Sequence, residues 1–318
     1  MAEAELYQGD ECTLDYTADA AITGGEVVQL RDGRAAVIPV DCANSEKVGA
    51  QAEGIYNVVK TASQVWLDGA EIYWDHSANA ATCIPPLVAG DRDFFLGTAV
   101  GDVAAAATEG KVNLNVRPAY EINLHTSGGD TAVVLTAGTP YIYSRGGSLD
   151  AGFSLTAEAQ KLDWLSKRSF ALGSNWIFEG VFEVVANADA DVADLSIGVA
   201  NGTNASDADS ITESAFIHLD MGGSLNIFAE SDDGTNEVAA TETTVDFAVG
   251  TPVFVCIDGR NPASLKFYVN GVQVLSGTTF NISAATGPLK ALFHLEKSAN
   301  DSPGNVQCDM LRVRTGQQ

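Results

Sequence analysis

The chain has 318 residues and a formal net charge of −25, from 42 Asp and Glu against 17 Lys and Arg. So acidic a surface repels nucleic acid, whose binding depends on Lys and Arg neutralising phosphates, and it disfavours anionic membranes. The acidity is spread over both halves of the chain, as expected of a solubility feature rather than a binding tail. An apolar fraction of 46% is ample for a packed core, and the length suits two domains better than one. With 31 Gly, 9 Pro and almost no long amphipathic pattern, the composition predicts an all-β chain with many tight turns.

From the N-terminus, alternating strands are predicted at Cys12–Tyr16, Glu26–Leu30, Arg34–Pro39, Gly54–Val59, Ala70–Trp74, Phe94–Val100 and Lys111–Val116. Residues 41–53 read as one short helical or irregular turn. In the stretch Asp68–Thr82, Ile72, Tyr73 and Trp74 form a strand; Asp75, Ser77 and Asn79 form a turn, and a second short strand follows. Trp74 belongs to the core of that hairpin.

Six pieces in order carry a resemblance: Gln8-Gly-Asp10, Tyr16–Val28, Ala52–Lys60, Gly69–Asp75 with Ala81-Thr82, Phe95–Val100 and Gly110–Leu114. Together they resemble the phage capsid cement, or head decoration, family. The resemblance covers residues 1–117 and implies a compact β-rich module that sits as a homotrimer on an icosahedral head. The implied partner is the major capsid protein, and the implied location is the outer capsid surface of a virion made in a host cytoplasm. The segment Met1–Glu11 has no core of its own and is expected to lie extended on the capsid, with Leu6, Tyr7 and Gln8 as contacts. Members of that family end near the strand at Lys111–Val116, whereas this chain continues.

Residues 118–318 read as a second domain. Short strands at Tyr120–His125, Thr131–Thr136 and Tyr141–Tyr143 are punctuated by Gly and Pro. Longer ones follow at Trp176–Val185, Asp194–Ala200, Ala215–Leu219, Ser224–Ala229, Thr251–Asp258, Leu289–Glu296 and Val306–Arg314. Asn270-Gly271, inside Leu265–Leu275, predicts a type I′ hairpin turn, which needs positive φ at both residues. The late Phe267-Tyr-Val-Asn-Gly-Val272 hairpin and the closing Val-Arg strand are similar to concanavalin A-like (laminin G-type) jelly rolls. The fold expected is therefore a small decoration module followed by a β-sandwich.

Chemistry is sparse. Glucanases of the jelly-roll type carry paired carboxylates in a Glu-x-Asp-x-x-Glu pattern, which is absent here. Glu179 and Glu183 share a strand face opposite Phe178 and Phe182 and are expected to be solvated. Asp189, Asp191 and Asp194, with Asp207 and Asp209, make an acidic loop pair whose oxygens suit calcium, though without EF-hand spacing; a soluble loop is the plainer reading. His76, His125, His218 and His294 show no metal or triad spacing and read as surface or edge residues. Trp164, in polar surroundings, is the exposed candidate for stacking on a sugar, whereas Trp176 reads as core. The five cysteines show no zinc spacing and read as reduced thiols, with a Cys256–Cys308 bridge as the alternative. The acidic start lacks a signal-peptide pattern, and no 18-residue apolar run is present.

The function expected is a non-enzymatic structural virion protein. It would stabilise a capsid and display a lectin-like domain towards glycans or a host surface. The alternative is an adhesin or an inactive glucanase-like protein not attached to a capsid.

Overall fold

The computed structural model describes residues 3–8, 13–86, 92–124, 130–134, 140–145, 148–187, 193–204, 207–220, 225–300 and 304–316. The chain divides into two compact units, Met1–Pro118 and Ala119–Gln318. Among the described residues no helix is long and apolar enough to cross a membrane.

The first unit contains β1 (Ala4–Gln8), β2 (Thr13–Thr17), β3 (Val27–Gln29), β4 (Ala35–Val37), β5 (Lys47–Gln51), β6 (Ile55–Val59), β7 (Glu71–Asp75), β8 (Ala80–Thr82), β9 (Phe94–Ala99) and β10 (Glu109–Leu114). They form a six-stranded sheet in the order β1-β6-β10-β9-β7-β8 and a four-stranded sheet in the order β2-β5-β4-β3. Trp66, Trp74, Tyr56, Ile72 and Leu96 are buried in this unit. A small-residue cluster of Ala18, Ile22, Ala36, Ile38, Cys42, Ala50 and Ala52 packs separately. The tract 41–53 contains no helix; its second half is β5, paired along its length with β2. Gly49 and Ala50 permit that approach, since a Cβ at Gly49 would strike Thr13.

Asn115, directly after β10, ties the two sheets. Its backbone takes a φ of 58°, a left-handed conformation that Asn tolerates better than most residues. Its Oδ1 accepts from Ala35 N at 2.9 Å, and its Nδ2 donates to Ala35 O at 2.9 Å and Ala52 O at 2.7 Å. The amide thereby satisfies backbone groups of β4 and of the end of β5, where Ala35 is fully buried.

The second unit begins with β11 (Ile122–Asn123), β12 (Asp130–Val134), β13 (Tyr141–Arg145), β14 (Ser148–Gly152), β15 (Glu158–Leu165), β16 (Trp176–Asn187) and β17 (Ala193–Ala200). A 3-10 turn (Ala208–Ser210) leads to β18 (Ser214–Asp220), β19 (Asn226–Asp232) and β20 (Glu237–Asp246). Then come β21 (Val253–Gly259), β22 (Lys266–Val269), β23 (Val272–Val274), β24 (Lys290–Asn300) and β25 (Gly304–Arg314). One sheet runs β13-β14-β25-β16-β21-β22-β23, with β11 also on β25; the other runs β12-β15-β24-β17-β18-β19-β20. The late strands β24 and β25 each lie between early ones, so neither sheet is complete until the end of the chain is in place.

Between the sheets lies one core that includes Trp164, Phe178, Phe182, Ile197, Phe267, Phe280 and Phe293. Asn270 and Gly271 have φ of 49° and 76°, as the predicted turn requires. Cys256 and Cys308 are both buried thiols outside any disulfide, so the alternative bridge is not formed. Glu179 is not solvated but 2% exposed, and Glu183 is half-buried. The outward face of that sheet is itself covered: Arg312 Nε donates to Glu179 Oε2 at 2.8 Å, and Arg314 Nη2 lies 3.3 Å from Oε1. The Arg312 guanidinium also stands 4.5 Å over the Tyr120 ring.

Removing the Asn115 amide strands a buried N–H, so Asn115→Ala should destabilise the first unit by about 2–4 kcal/mol. Asn115→Gly suits the backbone but also lacks the amide, so it should recover only part of the loss. Urea denaturation of both variants checks this; a wild-type midpoint in Asn115→Ala would refute it.

Candidate functional site

The seven-stranded sheet of the second unit has two faces that differ in chemistry, and the period of two along each strand creates them. Leu162 and Trp164 on β15, Phe293 and Leu295 on β24, Leu195 and Ile197 on β17, Ile217 and Leu219 on β18 and Ile227 and Ala229 on β19 enter the core. The residues between them are thereby turned to the opposite face. Register places Asp163 opposite His294, His294 opposite Ser196, Ser196 opposite His218, and His218 opposite Phe228. A continuous polar row thus crosses four strands and ends against Phe228 on the fifth.

At one end His294 is 1% exposed and Asp163 fully buried. His294 Nδ1 lies 2.7 Å from Asp163 Oδ1, and Nε2 lies 3.0 Å from Glu296 Oε2. Lys161 Nζ pairs with the same Glu296 oxygen at 2.7 Å. Burial of the ring pulls its pKa down, but hydrogen bonds to Asp163 and Glu296 outweigh it and push it up to about 9. The ring is therefore a fixed imidazolium at neutral pH, with both nitrogens occupied, and is unsuited to act as a general base.

At the other end His218 Nδ1 is 3.1 Å from Ser196 Oγ and 3.6 Å from Asp209 Oδ1, and Nε2 is 4.0 Å from Asp194 Oδ1. The ring meets Phe228 edge-on at 6.2 Å. Ser196 is fully buried, so its hydroxyl does not present a nucleophile to solvent. Asp209 reaches this row because the 3-10 turn is seated on an apolar pad of Ala200, Ala208, Ile211, Phe216 and Leu292. Asp207 caps the turn, accepting from Asp209 N at 3.1 Å. Glu230 faces the same spot from β19. Its carboxyl is raised to about 9 by burial and then by the charge of Asp209.

The sequence-derived candidates fall differently. Trp164 is 3% exposed and lies in the core, because it shares a strand face with Leu162; the polar neighbours Lys161 and Asp163 point the other way. Trp66, Trp74 and Trp176 are buried as well. Among the described residues of the second unit, the exposed large aromatic is Tyr143, stacked on Tyr141 with ring centres 5.4 Å apart. Asp189 and Asp191 lie outside the described residues, as do Cys12 and His125. Asp194 sits on the sheet beside His218 rather than in an all-oxygen loop. The two histidines read as surface or edge residues, His218 and His294, are buried members of the row.

In the first unit the N-terminal segment is no free arm. Residues Ala4–Gln8 pair with β6 as the edge strand of the domain's own sheet, and Val59 N donates to Glu3 O at 2.9 Å. Tyr7 is 52% exposed, with Lys111 Nζ 3.4 Å from its ring centre. The side chains of Leu6 and Gln8 lie outside the described residues.

His294 binds its proton more tightly in the fold than in the unfolded chain. Its contribution is therefore complete below about pH 6.5 and is lost as pH rises through about 9. Stability measured by urea at about pH 6 and about pH 10 should differ by a few kcal/mol through this group. His294→Gln should flatten that dependence; an unchanged slope would assign it to other groups.

Residues 7–114 match the phage cement protein family, and residues 144–309 match the SO2946-like C-terminal domain family. No curated protein matches the chain in sequence. Among solved structures, the Emp47p carbohydrate recognition domain is 13% identical, covering 61% of this chain and 94% of its own, at a TM-score of 0.44. Protein SO2946 from Shewanella oneidensis MR-1 is 14% identical, covering 58% and 77%, at a TM-score of 0.40. The carbohydrate-binding module CBM66 from Bacillus subtilis is 11% identical, covering 60% and 99%, at a TM-score of 0.38. The first unit is thus similar to phage cement proteins over nearly its whole length, and the chain, matched over more than half its length by the second family, belongs to the SO2946-like C-terminal domain family.

Proposed function

We propose that this protein is a capsid decoration protein. Its cement domain attaches it as a homotrimer to the major capsid protein on the outside of a phage head and stabilises the shell. Its second domain is a non-catalytic, glycan-binding module displayed on the particle. The observation that carries the reading is the cement-family match over residues 7–114, nearly the whole first unit. A trimer reuses one contact patch at each copy, and many copies raise weak glycan affinity by about 10²–10⁴ through avidity.

On the capsid side the contact surface includes the outer edge of β1, where Tyr7 is exposed. Edge strands offer backbone groups to an extended partner segment. On the glycan side the stacking surface is Tyr143 on its Tyr141 support, in place of the buried tryptophans. The fixed imidazolium at His294 and the buried Ser196 favour binding over hydrolysis.

Undecorated capsids mixed with the full chain should retain it on sedimentation, and decorated particles should survive heating better. Tyr7→Ala should lower occupancy at equal protein concentration. Failure of the wild-type chain to sediment with capsids would refute the attachment. On a glycan array, binding lost in Tyr143→Ala would support the glycan role, whereas uniform silence of the wild-type chain would favour a second layer of cement contacts.

A further inference from the structure

The cluster at the Glu230 end of the polar row has a composition that neither a stacking surface nor a cement contact requires. Asp209, His218 and Glu230 each present a ligand atom, and these atoms all lie within 4.8 Å of one another. They come from three separate elements: the 3-10 turn, β18 and β19. Ligands bound at the usual zinc distances sit about 3.4 Å apart around a tetrahedron. The Asp209 Oδ1 to His218 Nδ1 separation is already 3.6 Å.

A second observation points to a ligand. Glu230 is 6% exposed, and its Oε1 is buried without a hydrogen-bond partner. A buried acceptor left unpaired is costly, and the other oxygen of the carboxyl does not relieve it by its hydrogen bond to Asp209. His218 Nδ1 faces the cluster, and Nε2 stands 4.0 Å from Asp194 Oδ1, on the side where a ligating imidazole has its outer partner. Ser196 Oγ, now 3.1 Å from Nδ1, would give up that lone pair to an ion. Asp209 is 47% exposed, and a small cleft lined by Asp209, Ser214, Glu230, Ser231 and Asp232 opens beside the cluster. The site is therefore reachable, with room for a water or a ligand oxygen at an open position.

We propose that Asp209, His218 and Glu230 form a three-ligand site for a divalent transition-metal cation of the zinc type on the outward face of the seven-stranded sheet. One imidazole and two carboxylates are borderline donors. Such a set suits zinc or manganese, whereas calcium takes six to eight oxygens. The inference does not rest on capsid attachment or on glycan binding.

The test uses the full chain after chelator treatment, titrated with ZnCl2, MnCl2 or CaCl2 and followed by calorimetry and thermal denaturation. One zinc per chain should bind with a rise in Tm. Glu230→Gln, nearly isosteric, should weaken zinc by more than about tenfold. It should also melt no lower than wild type without metal, because it replaces a buried acid. His218→Ala should lose the visible absorption of the Co2+-loaded protein, which reports a low-coordinate bound metal. His76→Ala, an exposed histidine of the first unit, should change nothing. The site is refuted if wild type shows no stoichiometric zinc binding, or if Glu230→Gln binds zinc as tightly as wild type. A Tm rise with calcium and none with zinc would refute the ligand class.

Discussion

Everything on the second domain's polar face depends on one constraint: a strand that sends every other residue into a core must send the residues between them out. Leu162 and Trp164 fix the direction of Asp163; Phe293 and Leu295 fix that of His294. Antiparallel register then sets each outward residue beside one from the next strand. The face is densely packed, with Asp163, Ser196 and His294 all at 1% exposure or less, so these groups cannot rely on water. They pair with each other instead. Core packing thereby specifies the polar row, and a slip of one residue in any of these strands would exchange the two faces.

The same economy governs the buried cations. The chain has only 17 basic residues, and several are placed inside. Lys60 donates to the carbonyls of Thr61, Ala105 and Ala107, and Lys297 to those of Ser154 and Thr156. Arg312 and Arg314 converge on Glu179. Charges held inside by carbonyls or by a buried acid do little to offset the surface carboxylates. The exterior is therefore strongly acidic, which adds a repulsion that any contact between copies must overcome.

The parts legible in the sequence were those set by local chemistry. The Tyr73-Trp74 hairpin and the Asn270-Gly271 turn follow from residues that tolerate few alternatives. Trp164 is buried against expectation because the alternation of Leu162 with Trp164 decides its direction, not the polarity of Lys161 and Asp163. The strand Lys47–Gln51 was hidden by its small residues, which carry little β signal and are there because β2 comes close. His218 and His294 each stand between two core residues, in Ile217-His-Leu219 and Phe293-His-Leu295. That repeated pattern was a readable sign of an inner polar row. The joining of Asp209 to His218 and Glu230 was not readable, since it depends on a short turn seated on Phe216 and Leu292.

The acidity of the chain bears on what its polar face can hold. Glu230 is buried against Asp209, with Asp207 and Asp194 adding to the negative potential around it. Two carboxylates so close cannot both stay ionised without a counter-charge, and the exterior, at −25 overall, supplies little. A proton on Glu230 removes one charge and bonds it to Asp209, which links the turn to β19 but leaves out β18. A divalent cation removes two charges and joins all three elements through His218. It also presents a Lewis-acidic centre to a ligand oxygen such as that of a sugar hydroxyl. The bound cation would thus couple the stability of this end of the sheet to the chemistry the face presents.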